Sequence, residues 1–323
     1  MSTPTAAQDP FFARIVVGID ASGQGDHAAL AAKQLAERTG ARLEIVHAVG
    51  SSSTDWELIE DPRDVANDNG PLARAWRATL RHVTELVGTH APDGRPIEEV
   101  LRVRAGRPAN VLLAEAHEQD ADLIVLGYDL ERSRFDFGST VRAVIAGAPK
   151  AVWIQKHAPT AVKRILVPVD LSLDSLRALT AACSLARLFD ARVDVLHVFT
   201  SAGYVVSTWP DYPDMGAFLA LDEIREQRRA EFEREMAQFA WGGIEHTTEF
   251  AVGDPGPLVV AAQREVDLIV LGTHGKTALA SALLGSVAWH VVRHAHRPIV
   301  AIRHPEREFV HDRHARATAK LRT

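Results

Sequence analysis

Cysteine is nearly absent. Cys183 is the one thiol in 323 residues, so no disulfide can form within the chain. It sits among Leu176, Leu179 and Ala186 at helical spacing, which predicts a buried small residue more readily than a reactive thiol. Excess basic charge is lacking too. Thirty-six Lys and Arg stand against 42 Asp and Glu, a formal net charge of −6, which leaves no global footprint for nucleic acid or an anionic membrane. Long apolar runs are missing. The longest uncharged apolar stretch, residues 277–289, is broken by Gly285 and falls short of the ~20 residues a spanning helix needs. Residues 1–14 hold no basic segment followed by an apolar one, so the expectation is a cytoplasmic protein with no secretory leader.

What is present is an ordinary globular composition, 46% hydrophobic and 24% charged, in a chain long enough for two domains with a core each. Short β-branched runs alternate with helical patterns. Strands are expected at residues 14–20, 43–47, 98–104, 122–127 and 151–155, with helices at 28–38, 72–87, 109–118 and 138–146. Such alternation argues for a parallel sheet with helices on both faces.

The pattern then begins again. Ile15-Val16-Val17-Gly18-Ile19-Asp20 is answered by Ile165-Leu166-Val167-Pro168-Val169-Asp170, and His47 by His197. Asp122-Leu123-Ile124-Val125-Leu126-Gly127 returns unchanged as Asp267-Leu268-Ile269-Val270-Leu271-Gly272, and Gly138-Ser139 returns as Gly285-Ser286. This is an internal duplication. The expected division is residues 1–157, residues 158–304 and a polar, mobile tail at 305–323, with the two copies packed as a fused pseudo-dimer. In the second copy Ser172 is placed to cap a helix. Residues 217–241 are dense in Glu and Arg and read as a helix with a solvated face. Trp209 and Tyr212 lie in a loop before it.

The chemistry concentrates in residues 268–286. An apolar strand stops at Gly272, Gly275 follows, and Gly285 precedes Ser286 at a helix start. Glycine lets a backbone approach a ligand closely, and a helix N-terminus adds partial positive charge, so the unit suits a phosphate. Gly275-Lys276-Thr277 imitates the end of a Walker A loop, but the position that needs the first glycine holds Val270, inside the strand. In a doubly wound sheet the ligand sits beyond the strand C-termini where strand order reverses. If the first and fourth strands of the second copy are neighbours, Asp170 and Gly272 become two lips of one crevice. Asp170 can then accept from ribose hydroxyls or face a metal through water, while His197, Val198 and Val252 line a base pocket.

Gly272-x-x-Gly275, nine residues, then Gly285-Ser286 resembles the nucleotide-binding motif of ATP-binding universal stress proteins, and the resemblance covers residues 14–303 twice over. It implies two tandem doubly wound α/β domains, each a five-stranded parallel sheet, frequent dimers, and a nucleotide-dependent regulator or sensor with at most slow hydrolysis. Carried over, the family's acid falls on Asp170, its base-binding position on Val198, and its glycines and hydroxyl on Gly272, Gly275, Gly285 and Ser286. His274 and Val287 complete the expected ATP site, with Mg2+ on the phosphates. The first copy departs from the pattern: Leu130 replaces the second glycine, the spacer to Gly138-Ser139 is two residues shorter, and Asp129, Glu131 and Asp136 stand where a polyphosphate would lie.

Other readings are open at this stage. His274 is the best residue for chemistry in an ATPase, although a solvent-facing loop histidine touching a phosphate is the simpler account. His290, His294 and His296, or His304, His311 and His314, have spacings that can collect zinc, without an acid or cysteine beside them. A ligand-free docking or chaperone-like protein would use Trp209, Tyr212 and the charged helix.

Overall fold

The computed structural model describes residues 12–20, 23–50, 70–128, 139–200, 215–275 and 284–303. The first half runs β1 (Arg14–Ile19), α1 (Gly23–Thr39), β2 (Arg42–Val49), α2 (Pro71–Val87), a single helical turn (Ile97–Val100), β3 (Leu101–Ala105), α3 (Pro108–Glu118), β4 (Leu123–Gly127), α4 (Ser139–Gly147) and β5 (Ala151–Gln155). The second runs β6 (Arg164–Pro168), α5 (Leu173–Phe189), β7 (Arg192–Phe199), α6 (Met215–Gln238), β8 (His246–Val252), α7 (Pro255–Ala262), a 3-10 turn (Gln263–Glu265), β9 (Leu268–Gly272), α8 (Ser286–His294) and β10 (Ile299–Ile302).

Ten strands form one sheet in the order β3-β2-β1-β4-β5-β10-β9-β6-β7-β8. Each half is five parallel strands, and the halves join edge to edge through an antiparallel pair, β5 with β10, in which Val300 faces Trp153. The expected pseudo-dimer is thus a continuous sheet. Central strands read as unbroken apolar runs because both faces are covered. Ile15, Val17, Leu123 and Val125 pack with α1, α2, α5 and α6 on one face, while Val16, Ile124 and Leu126 pack with α3, α4, α7 and α8 on the other. Cys183 is in the first of these cores, and burial pushes its thiol up.

The repeated motifs have structural jobs that the duplication preserves. Asp122 Oδ2 accepts from the amides of Ala13 and Arg14 at 2.9 and 3.0 Å, and Asp267 Oδ2 from those of Lys163 and Arg164 at 2.8 and 3.0 Å. Each aspartate before the fourth strand therefore staples the start of the first. His47 and His197 do the same at the other end, bonding through Nδ1 to the carbonyls of Ile19 and Val169.

Two expectations change. The third strand begins at Leu101, because Pro96 opens a helical turn whose Ile97 and Val100 are both buried. The charged helix α6 also has an apolar side: Phe232 and Met236 are buried, and Phe232 stacks on His197 with centroids 5.1 Å apart. The sequences around Trp209, Tyr212, Leu130 and Gly138, the histidines from His304 onward and the tail lie outside the described residues.

Candidate functional site

In the second half the strand order reverses between β9 and β6, which pair through Ile165 with Leu268 and Leu166 with Ile269. A cavity of about 760 Å³ opens beyond their C-terminal ends, within the ~300–1,000 Å³ typical of small-molecule sites. Its floor is Val169 and Asp170 just past β6, Leu196 to Val198 near the end of β7, and Leu271 and Gly272 at the end of β9.

The glycines act by what they allow to come close. A Cβ on Gly272 would lie 2.8–3.0 Å from the backbone and Cβ of Asp174, so glycine seats the N-terminus of α5 against the end of β9. Ser172 caps that helix, its Oγ accepting from Ser175 N at 3.2 Å. A Cβ on Gly275 would lie 2.5 Å from Asp170 Oδ2, so the two lips of the crevice meet there. Asp170 Oδ1 also accepts from Ser172 N at 3.0 Å, which ties the acid to the turn before α5.

Gly285 lines the cavity and also serves the fold. Its amide donates to Thr273 O at 2.8 Å, tying the start of α8 to the end of β9 and leaving no proton on that amide for a ligand. The donors lie one residue on. α8 begins at Ser286 with Gly285 as N-cap and no side-chain cap, and the first-turn amides of a helix have no acceptor within it. Ser286, Val287 and Ala288 all line the cavity. An uncapped helix end facing a cavity is an anion site in waiting.

His274 is not a solvent-facing loop residue. It is 6% exposed, with Nδ1 3.0 Å from Thr273 Oγ1 and 3.5 Å from the buried Asp174 Oδ2. The ring is thereby anchored in the cavity wall. Val198 and Val287 also line the cavity, whereas Val252 does not: it pairs with Phe199 on the edge strand and is 47% exposed. The structure therefore gathers Asp170, Val198, Gly272, His274, Gly275, Gly285, Ser286 and Val287 around one space and leaves Val252 outside it.

Sequence reasoning missed Arg228 and Glu231, which sit at the cavity as a 2.7 Å pair on α6, and Arg142, which reaches it from the first half. A charged helix facing a strand end was a readable signal for the first two. Nothing local in the sequence points to Arg142. Among the described residues no group of His, Cys, Asp and Glu is arranged to hold a metal, and no helix is long and apolar enough to cross a membrane.

The profile of the Universal stress protein family matches residues 12–156 and again 161–303. A universal stress protein of Methanocaldococcus jannaschii is 35% identical over 150 residues, 45% of this chain and 85% of that one. One from Mycobacterium tuberculosis is 30% identical over 141 residues, and the matched segment spans 43% of this chain and 47%, about half, of that relative. The crystal structure of a universal stress protein from Archaeoglobus fulgidus covers 92% of this chain and 98% of its own at TM-score 0.60 and 17% identity, a likeness of fold. With both halves matched by one family and built on one topology, the chain belongs to the universal stress protein family and carries its unit twice in tandem.

Proposed function

We propose that the second copy, residues 158–304, binds ATP, with Mg2+ on the phosphates, and that the protein is a cytoplasmic regulator or sensor whose state follows the nucleotide. The observation that carries this reading is the uncapped N-terminus of α8, opening onto a cavity at the switch point of the sheet. The residues fit the ligand. Ser286, Val287 and Ala288 offer amides to phosphates and Ser286 a hydroxyl, Asp170 can accept from ribose hydroxyls, and Leu196, Val198 and Phe199 give apolar walls for a base. Mg2+ would be held chiefly by phosphate oxygens and water, with Asp170 of the cavity lining able to accept from that water.

The test is direct. Nucleotide released by denaturing the purified protein is identified and counted by mass spectrometry, and ATP is titrated into the emptied chain by calorimetry. Adenine nucleotide at one per chain supports the reading, and no binding overturns it. Steady hydrolysis that His274→Ala abolishes would instead assign an ATPase.

A further inference from the structure

The cavity of the second copy is not built by that copy alone. Among the described residues that line it, Arg142 is the one contributed by the first copy. It is the fourth residue of α4, as Trp289 is the fourth of α8. The antiparallel join of the two half-sheets brings these equivalent positions face to face. The guanidinium carbon of Arg142 lies 5.6 Å from the centroid of the Trp289 ring. That distance is within cation–π reach, so the ring face attracts the guanidinium to the rim of the cavity without using its N–H donors.

Charge at the cavity makes that availability matter. Arg228, the other arginine of the lining, is committed to Glu231. Arg142 makes no hydrogen bond or ion pair with the described residues and is exposed. Glu231 is balanced by Arg228, and Asp170 brings a further carboxylate to the same space. A polyanion seated on the first turn of α8 is favoured by a cation close by, and the Arg142 guanidinium stands beside that helix, one turn from its start.

The geometry points to Arg142 as a specificity-determining residue that grips the terminal phosphates of a nucleoside triphosphate held by the other copy. This rests on the ATP reading above and deepens it: the site is complete only when the two copies are joined, and it distinguishes triphosphate from monophosphate. The base, ribose and first phosphate are held by the second copy. The far end of the polyphosphate is held across the seam.

The experiment is calorimetric titration of the full chain and of R142A and R142K with ATP and with AMP at one salt concentration. R142A is expected to weaken ATP about tenfold or more, as loss of a charged hydrogen-bonded contact does, while AMP binding stays unchanged. R142K keeps the charge without the flat fork and recovers part of the loss. Since the side chain is exposed, both variants are expected to melt with the wild type, which is checked in parallel. Unchanged ATP affinity in R142A, or equal loss for ATP and AMP, overturns the role of Arg142 and leaves the nucleotide site standing. Failure of the wild type to bind either nucleotide overturns the site itself and this proposal with it.

Discussion

Gly275 and Lys156 show how much a single position decides. Gly275 has no room for a side chain toward Asp170, so Gly275→Asp places a second carboxylate against the first and fills the phosphate path. ATP binding is expected to vanish in calorimetry while the far-ultraviolet spectrum and cooperative melting persist. Lys156, at the end of β5, is 8% exposed and donates to Val292 O and Ala295 O at 2.5 and 2.7 Å, with its amine 4.6 Å from the centroid of Tyr128. Burial pushes its pKa down to about 7 from 10.5, whereas the two carbonyls and the ring favour the ammonium. Between those values the unfolded chain binds more protons on this amine than the folded one. Its effect on stability is therefore most favourable above about 10.5 and is lost as pH falls to about 7. Urea midpoints from pH 6 to 10 are expected to rise with pH in the wild type, and Lys156→Met is expected to flatten that rise.

At the scale of elements, α8 is the piece on which the site depends. Its N-terminus opens on the cavity, and its last carbonyls are held by Lys156 from the other copy. The relation is reciprocal, since Arg303, at the end of β10, donates to Ala148 O just beyond α4 at 2.6 Å. Each half thus holds the C-terminal end of the fourth helix of the other half. The guanidinium of Arg303 complements the helix dipole there, and Lys156 does so when protonated. The helix α5 is set by its own cap. Ser172→Ala is expected to cost about 1 kcal/mol, read as a lower urea midpoint with an unchanged slope. If stability is unaffected, the Ser172 to Ser175 hydrogen bond is not what starts the helix.

The whole molecule is two copies sharing one sheet and two cores. Trp153 of β5 meets Phe189 of α5 edge to face at 6.3 Å, and Arg38 lies 5.5 Å from the same Phe189 ring. The seam is therefore packed on one face by Trp153 and Phe189, and tied on the other by Arg142 with Trp289, Lys156 and Arg303. Trp153→Ala is expected to cost about 3–5 kcal/mol and, by loosening the seam, to split a single calorimetric melting transition into two. One transition at lower temperature would show that the β5–β10 pairing alone keeps the halves cooperative.

The chain by itself determined the alternation of strands and helices, the duplication, and the spacing of Gly272, Gly275, Gly285 and Ser286. These are local constraints: a buried parallel strand needs an apolar run, a close backbone approach needs glycine, and both are written in consecutive residues. Most of the lining of the candidate cavity was legible for the same reason, because Asp170, Val198 and Gly272 sit at or just past strand ends that the topology must bring together. Val252 was misplaced because it also ends a strand, but an edge strand whose last residue turns to solvent. That the amide of Gly285 bonds to Thr273 O could not be read from the chain, because a close backbone contact and an anion cradle ask for the same residue. Only the tertiary structure decided that the half-sheets join through β5 and β10, that Arg142 lies on Trp289, and that Lys156 and Arg303 exchange helix ends. Those contacts depend on a symmetry relating positions nearly 150 residues apart, and no local pattern in the chain encodes which faces that symmetry sets against each other.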